Sequence, residues 1–327
     1  MSGIGSEFGV PESEIFVAVP SYNHAPFIEQ CLRSIITQTL QPKKLLVIDD
    51  GSADNSLAVI ERVLKDCPFS AELIVRENRG LCRTLNQALE ISDGKYFAYI
   101  SSDDFWFPEF LEARANLLSK RPAAVLAYGH AILVNDSGNT FDSTSANKIN
   151  GEDYPDGDAR NMLLKGIGPV SSSIMYRQSA IETLGWNEGA RLEDYEMYLR
   201  LMSQGDFAFD DRILSAWRRH SKNTSGDRLL MLNEILAAQE RNFDLLDITR
   251  KELAAVQTRT RFLYARLELQ HGNKAGAFQL ARRSWRGATS TTDLLKFYFR
   301  MLVPMSVVRF RRQVRDTKKN ELGFGHG

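Results

Sequence analysis

The sequence predicts an α/β protein whose mostly parallel sheet carries helices on both faces and is followed by a helical C-terminal region. Four short apolar runs rich in β-branched and aromatic residues recur roughly 25 to 30 residues apart, with amphipathic helical patterns between them. From about residue 228 to residue 286 the pattern is almost entirely helical. Because strands that alternate with helices pair in parallel through right-handed crossovers, the N-terminal part is expected to form a single sheet.

The four predicted strands occupy residues 15–19, 44–48, 72–75 and 96–100. Three segments between them repeat apolar residues at helical spacing, "FIEQCLRSIITQ", "SLAVIERVLK" and "LCRTLNQALE". Each of these segments is therefore predicted to be a crossover helix between two parallel strands.

After residue 120 the regular alternation stops. The segment "AVLAYGHAILVNDSGNT" predicts a β-hairpin with its turn in "NDSGN", and "SSSIMYR" predicts a further strand. An amphipathic helix is expected in "EDYEMYLRLMSQG", ending near Gly205. Farther on, "YARLELQHGNKAGAFQLARRSW" predicts two helices that are joined by a turn at "HGN".

The bulk composition is that of a globular protein. The chain has 327 residues, of which 43% are hydrophobic and 25% charged, so it is long enough for a large core and long for a single compact unit. Cys31, Cys67 and Cys82 show no metal-binding or disulfide spacing, which favours a reducing compartment. The N-terminus lacks the layout of a signal peptide, and no apolar run approaches the ~18 residues of a membrane span.

The charge is balanced over the whole chain but uneven along it. The formal net charge is zero, yet residues 281–319 contain eleven Lys or Arg and two Asp, a net charge of +9. Apolar and aromatic residues are interleaved with these basic residues in "DLLKFYFRMLVPMSVVRFRRQVRDTKK". The segment is expected either to contact an anionic membrane surface or to pack on the preceding domain; we identify no nucleic-acid recognition module.

Polar segments follow each of the four predicted strands. They read "PSYNHAP", "DDGSADN", "RENRG" and "SSDDFWFP". The C-terminal ends of parallel strands meet at one edge of a sheet, and ligands of open α/β sheets bind at that edge. The sequence therefore predicts a ligand site built from these four segments.

Two aspartate pairs lie in these segments, and each has a structural and a functional interpretation. Asp49 and Asp50 would either cap the next helix or accept a hydrogen bond from the imide N–H of uracil or thymine. Asp103 and Asp104 would either form a solvated turn or bind Mg²⁺ or Mn²⁺ that bridges phosphates.

Two later segments also carry candidate groups. Glu193 and Asp194 open a predicted helix, where acidic residues favour the helix dipole, but one of them could also act as a general base. In "WRRHSKNTS", His220 is either structural or, with Arg218 and Arg219, faces a diphosphate.

Five segments in order resemble the family 2 glycosyltransferases of the GT-A fold, a Rossmann-like architecture. The resemblance covers roughly residues 14–225, about two thirds of the chain. It is carried by "VAVPSYNHAPFIEQCLRSIITQT", "LLVIDDGSADNS", "ENRGLCRTLNQALEISDGKYFAYISSDDFWFPEFLE", "PVSSSIMYRQSAIETLGWNEGARLEDYEMYLRLMSQGDF" and "WRRHSKNTS".

The resemblance implies roles for individual residues. Asp194 would be the catalytic base, Asp104 the more direct metal ligand, and Asp103 a ribose contact or a second metal ligand. His220 would contact the metal or the diphosphate. The remaining nucleotide contacts would be Pro20, Ser21, Tyr22, Asp50 and Arg83, and the donor and acceptor pocket would be lined by Trp106, Ser172 and Glu193.

One departure from the family pattern concerns the phosphate side of the pocket. Thr84, Leu85 and Asn86 stand where relatives have an Ala-Arg-Asn run, so the usual arginine is missing. Arg83 or Arg79 is expected to substitute for it.

The resemblance also implies an activity. The chain would be an inverting, Mn²⁺- or Mg²⁺-dependent enzyme that transfers a sugar from a UDP- or dTDP-sugar to a glycan or lipid-linked acceptor in bacterial O-antigen, capsule or exopolysaccharide synthesis. It would be cytoplasmic or peripheral on the inner face of the cytoplasmic membrane. The alternatives are a non-catalytic nucleotide- or glycan-binding protein and a nucleotidyltransferase, although "VPSYNHAP" lacks the glycine-rich phosphate loop of the latter.

The domain organisation follows from these assignments. The segments are an N-terminal tail or tag (1–13), a GT-A catalytic domain (14–226) with a nucleotide-binding half (14–120) and an acceptor half (121–226), a helical hairpin region (227–290) and a basic amphipathic segment (291–327).

Overall fold

The computed structural model of the protein describes residues 13–144, 154–221, 223 and 226–304. These residues form two compact units. One contains the described residues up to Gly226 together with Ala237–Asp247, and the other contains Asp227–Leu236 and the described residues from Ile248 onward. Nearly all of the predicted N-terminal tail, and the predicted basic segment beyond residue 304, lie outside the described residues.

The first half of the first unit is the predicted parallel sheet. Its four strands pair in the order β3-β2-β1-β4, and every pair is parallel. The strands are β1 (Ile15–Ser21), β2 (Lys44–Asp49), β3 (Ala71–Val75) and β4 (Tyr96–Tyr99). The three crossover helices are α1 (Ile28–Ile36), α2 (Ser56–Leu64) and α3 (Leu81–Ile91). All seven elements confirm the prediction.

The second half extends the same sheet, mostly with antiparallel pairs. The additional strands are β5 (Phe105–Trp106), β6 (Ala124–Val134), β7 (Thr140–Ser143), β8 (Met175–Arg177) and β9 (Asp206–Arg218). The sheet continues from β4 in the order β8-β6-β9-β5, and β7 pairs with β6. The helices of this half are α4 (Phe110–Lys120), α5 (Arg160–Leu164), α6 (Gln178–Ile181) and α7 (Glu193–Leu201).

The predicted hairpin, the strand in "SSSIMYR" and the helix at Glu193 are present, whereas the long strand β9 was not predicted. The hairpin turn closes through a hydrogen bond from the Asn135 N–H to the Asn139 carbonyl. Strand β9 runs parallel to β6 with three shifts of register, and it ends at Arg218, two residues before His220.

The core of the first unit lies on the central parallel strands. Val17, Val47 and Ala98 on three adjacent strands are fully buried, as are Ile28 and Ile60 on the helices that pack against them. Burial on this scale stabilises each aliphatic side chain by roughly 1.5–3 kcal/mol. The C-terminal ends of these strands are therefore held in fixed positions, and the polar loops start from them.

The second unit is helical, as predicted. Its helices are α8 (Arg228–Arg241), of which the first part belongs to this unit, α9 (Arg250–Gln270), α10 (Lys274–Ser284) and α11 (Thr291–Leu302). Helices α9 and α10 form the predicted hairpin, and Gly272 in the turn has a φ of +90°, which favours glycine. Phe262, Ala277 and Phe297 pack in the small core of this unit. Among the described residues, no helix has the length and apolar character that crossing a membrane requires.

Candidate active site

Asp50 follows strand β2 and is held by the loop after β3. Its Oδ1 accepts hydrogen bonds from Arg76 Nε (2.9 Å) and from the Arg79 N–H (3.0 Å), and its Oδ2 accepts one from the Gly80 N–H (2.7 Å). Gly51 makes the turn with a φ of +82°, and a Cβ there would lie 2.8 Å from the Asn78 nitrogen. Since a carboxylate offers about four acceptor positions, one position on Oδ2 remains for a ligand.

The arginine at this carboxylate is Arg76, which the sequence interpretation did not single out. Arg76 also donates to Thr84 Oγ1 at 2.6 Å and to Gln87, so its guanidinium is fixed in the loop. Arg83, which with Arg79 is one of the two predicted substitutes for the missing arginine, forms an exposed ion pair with Glu188 (Nε to Oε2, 2.7 Å). The sequence contained an indication that Arg76 lies at the ligand edge, because Arg76 begins the polar segment "RENRG" directly after β3.

Pro20, Ser21 and Tyr22 end β1 beside Asp50. The Asp50 N–H donates to the Ser21 carbonyl at 2.9 Å, and the Ser21 hydroxyl is buried with no hydrogen-bond partner among the described residues. The Tyr22 ring is 49% exposed. The structure thus brings the first predicted nucleotide loop next to Asp50 and leaves an aromatic ring accessible at the edge.

Asp103 and Asp104 follow β4 and have different surroundings. The Asp103 Oδ2 lies 3.0 Å from His220 Nε2, and its Oδ1 lies 3.9 Å from His24 Nδ1. Asp104 Oδ1 instead accepts a hydrogen bond from the Arg218 N–H at 2.8 Å. Burial, followed by the charge of Asp103, raises the pKa of the Asp104 carboxyl well above its usual range.

The buried side chain of Arg218 fixes the loop that carries this pair. Its Nε donates to the Asp103 carbonyl at 2.8 Å, and its Nη2 donates to Gln30 Oε1 at 2.6 Å. The guanidinium also stacks over the Phe27 ring at 4.8 Å. Arg218 therefore does not present its charge to a diphosphate, which is one of the roles considered from the sequence.

The group of His24, Asp103 and His220 has the composition of a divalent-cation site. One ligand atom from each residue lies within 4.8 Å of the other two. Carboxylate oxygen and imidazole nitrogen are ordinary ligands of Mn²⁺ and related ions, so these residues fit such a cation. The sequence interpretation named Asp104 as the main ligand, with Asp103 and His220 as secondary ones, and did not include His24. Asp104 remains a predicted ligand, but the structure brings Asp103 to the histidines.

Glu193 and Asp194 open α7, and both residues are partly buried. Burial raises the pKa of Asp194 to about 6, and burial together with the charge of Asp194 raises the pKa of Glu193 to about 8. Asp194 Oδ1 accepts a hydrogen bond from the Tyr195 N–H at 2.6 Å. Asp194 and Glu193 also contribute, after burial and Tyr176, to the raised pKa of Tyr99 at the end of β4. The acidic pair therefore lies close to the β4 end of the sheet.

Trp106 and Ser172 contact each other next to Asp104. The Trp106 Nε1 donates to the Ser172 carbonyl at 2.7 Å, and the indole stacks on Phe110 at 4.2 Å. Trp106 is only 2% exposed. The Ser172 hydroxyl lowers the pKa of Asp104, against the stronger effects of burial and Asp103. The Trp106–Ser172 hydrogen bond joins the segment after Asp104 to the turn at Ser171–Ser173.

The sequence profile described as "Glycosyl transferase family 2" matches residues 16–185, which is more than half of the chain. The chain belongs to glycosyl transferase family 2. Membership of this family favours glycosyl transfer over the nucleotidyltransferase and non-catalytic alternatives. All the candidate residues named above lie in the matched range or within the 35 residues that follow it.

Curated relatives of this family 2 glycosyltransferase are longer proteins. The chain is 26% identical to the chondroitin synthase of Pasteurella multocida over 254 residues, which cover 72% of this chain and 25% of that protein. It spans 35% of the length of similar glycosyltransferases from Rickettsia conorii and Rickettsia felis.

Two solved structures have a similar fold. Staphylococcus aureus TarS 1-349, determined with UDP-GlcNAc, has a TM-score of 0.61 at 13% identity and covers 94% of this chain and 92% of its own. The mannosyltransferase PcManGT from Pyrobaculum calidifontis, determined with GDP-Man and Mn²⁺, has a TM-score of 0.58 at 17% identity and covers 89% and 80%. The first unit, which is called the catalytic unit below, therefore has the predicted GT-A fold.

Proposed function

We propose that this glycosyltransferase transfers a sugar, with inversion at the anomeric carbon, from a UDP- or dTDP-sugar to a glycan or lipid-linked acceptor in bacterial surface-polysaccharide synthesis. The observation that carries the proposal is the group of His24, Asp103 and His220, which lies at the same strand edge as Asp50. Chondroitin and hyaluronan synthases are among the relatives, which supports synthesis of a polysaccharide.

The proposed base preference rests on the surroundings of Asp50. Three donors already occupy its oxygens, so one acceptor position remains on Oδ2. A single imide N–H, as in uracil or thymine, suits one remaining acceptor, whereas the adjacent N–H donors of guanine would need two. The exposed ring of Tyr22 is available to stack against a base.

The diphosphate would bind beside Asp103. Asp103 and His220 would hold a divalent cation, and such a cation offsets the negative charge that grows on the departing nucleoside diphosphate. Arg218 would keep Asp103 in place through its hydrogen bond to the Asp103 carbonyl.

Asp194 would take the proton from the attacking acceptor hydroxyl. A carboxyl with a pKa of about 6 is ionised at neutral pH and remains a stronger base than an ordinary aspartate. Glu193, with a pKa of about 8, would be protonated at the same pH, so the pair would carry a single negative charge.

A donor screen tests this function directly. Thermal shift should show that UDP or dTDP stabilises the protein more than GDP does, and more with Mn²⁺ than with EDTA. Release of UDP or dTDP from the corresponding sugar nucleotide, in the presence of glycan acceptors, would establish turnover. If GDP stabilised the protein as strongly as UDP, the proposed role of Asp50 would be wrong. If no sugar nucleotide were consumed with any acceptor, the activity itself would lack support.

Helix α11 supports a proposed membrane contact. Leu295, Phe299 and Leu302 lie on one helical face and are 66%, 69% and 81% exposed, while Phe297 on another face is buried in the unit. The exposed Lys296 and Arg300 flank the apolar face. An apolar face with basic neighbours suits a layer of anionic lipids, and this contact would keep the enzyme at the cytoplasmic side of the membrane near a lipid-linked acceptor.

Vesicle flotation checks this contact. With vesicles rich in phosphatidylglycerol, the parent protein should float, and the Leu295→Ser/Phe299→Ser variant should bind at least tenfold more weakly, since each apolar side chain contributes about 1.5–3 kcal/mol when buried. Phe141→Ser, which alters a similarly exposed ring (54%) in the catalytic unit, is the matched control and should float like the parent. Equal flotation of all three proteins would exclude α11 as the membrane contact.

A further inference from the structure

We propose that His24 is a direct ligand of the bound cation, so that two imidazoles and one carboxylate form a site that selects Mn²⁺ over Mg²⁺. This inference rests on the proposed function, which requires a cation at Asp103. The inference adds His24, from the β1–α1 loop, to the ligands of the cation. It also predicts that the site binds Mn²⁺ in preference to Mg²⁺.

The positions of the three side chains suit a single ion. The His220 Nε2 and the His24 Nδ1 approach opposite oxygens of Asp103, at 3.0 Å and 3.9 Å. The ligand atoms of all three residues lie within 4.8 Å of one another, close to twice a metal–ligand bond of about 2.0–2.3 Å. The two imidazole rings are 5.6 Å apart and nearly perpendicular, at 83°, so their edges converge without stacking.

Contacts outside the group hold His24 in this position. Its backbone N–H donates to Ser56 Oγ at 3.0 Å, and a bound cation would replace the Ser102 hydroxyl that now lies 2.8 Å from its Nδ1. The Phe27 ring contacts both imidazoles, in an edge arrangement with His24 at 6.1 Å and stacked on His220 at 5.2 Å. Preorganised ligands lose little entropy on binding, so this arrangement favours coordination by His24 as well as by His220.

The ligand set determines the preference between ions. Mg²⁺ binds through oxygen ligands in a strict octahedron and retains several waters. Imidazole nitrogen is a better ligand for transition metals, whose affinity for such ligands increases along the series that begins with Mn²⁺. A second imidazole therefore strengthens the binding of Mn²⁺ more than that of Mg²⁺.

The test compares the full-length parent with His24→Asn, and with His271→Asn as a control at an exposed histidine of the helical unit. Calorimetric titration in the presence of UDP should show that His24→Asn weakens Mn²⁺ binding by about 10- to 100-fold. The affinity for Mg²⁺ should change less than threefold, and His271→Asn should match the parent for both ions. Pulsed electron paramagnetic resonance of bound Mn²⁺ should detect two coordinated imidazole nitrogens in the parent and one in His24→Asn.

The outcomes separate this inference from the proposed function. If the parent binds Mn²⁺ and UDP but its spectrum contains a single imidazole, His24 is not a ligand, although the proposed function stands. Equal losses of Mn²⁺ and Mg²⁺ affinity in His24→Asn would also overturn the inference. If the parent binds no cation in the presence of UDP, the metal-dependent function fails as well. Should His24→Asn fail to fold, as judged by circular dichroism, the nitrogen count in the parent decides alone.

Discussion

Replacement of Asp194 by asparagine should lower turnover by about 10³-fold or more, within the range attributed to general base catalysis. Asparagine retains the size of the side chain and can accept the hydrogen bond from the Tyr195 N–H, but it cannot take a proton at neutral pH. The binding of UDP and Mn²⁺ should change little, because Asp194 belongs to α7 whereas Asp50 and Asp103 follow β2 and β4. Initial rates of nucleoside diphosphate release, combined with calorimetric binding, separate the two effects.

Glu193→Gln is the matched control for this substitution. Glu193 is the neighbouring carboxyl, and its pKa of about 8 means that it is mainly protonated at neutral pH, so glutamine resembles its resting state. Turnover of this variant at pH 7 should remain within about tenfold of the parent, well above that of Asp194→Asn. If Glu193→Gln were inactive and Asp194→Asn remained active, Glu193 rather than Asp194 would be the general base.

The pH profile provides an independent check of the same base. The pKa of Asp194 is raised to about 6, and a base works only when it is ionised, so turnover should rise with pH through about 6 and then level off. An ordinary aspartate would already be ionised at about pH 4, so the parent should lose activity between pH 7 and pH 5. The residual activity of Asp194→Asn should not follow this profile.

The parallel half of the fold could be predicted because its signals are local. Each of the strands β1 to β4 is a short apolar run, and each crossover helix has its own periodicity, so neighbouring residues are sufficient to assign them. Because parallel strands point the same way, the loops that follow them lie at one edge of the sheet. This placement of Asp50 and Asp103 at one edge is confirmed by the parallel register of β1 with β2 and β4.

Strand β9 could not be predicted in the same way, because its stability comes from distant residues. Its middle contains Asp210, Asp211 and Arg212, which interrupt the apolar pattern. Asp210 is compensated by the fully buried Arg114 of α4, at 2.8 Å and 96 residues away in the sequence. The pairing of β9 with β6 also contains shifts of register, which no short window can reveal.

The composition of the proposed cation site depends on this unpredicted strand. His220 reaches Asp103 across 117 residues of sequence, and His24 approaches it across 79. The sequence interpretation included His220 through a resemblance to relatives, and it assigned Asp104 rather than Asp103 as the main metal ligand. The choice between the two aspartates depends on which side chain points toward the histidines. Asp103 does so, whereas the Asp104 carboxylate accepts a hydrogen bond from the Arg218 N–H.

Asp103→Asn should therefore weaken Mn²⁺-dependent nucleotide binding by about 100-fold or more. Loss of an outer-shell contact lowers metal affinity by about 10- to 100-fold, and loss of a direct ligand should lower it at least as much. The amide is uncharged and is a poor ligand for a divalent cation, while its size leaves the loop unchanged. Binding of UDP in EDTA should be similar in the variant and the parent. Calorimetry with UDP, at a series of Mn²⁺ concentrations, measures both quantities.

Asp104→Asn is the matched comparison, because the two residues are adjacent and both are buried. Asparagine at position 104 can still accept the hydrogen bond from the Arg218 N–H, so the turn should survive and Mn²⁺ affinity should fall by less than about tenfold. The reverse ranking, with Asp104→Asn losing the metal and Asp103→Asn retaining it, would restore the assignment made from the sequence. Such a result would require the loop to rearrange on binding the cation, because in the present structure it is the Asp103 carboxylate that the two histidines approach.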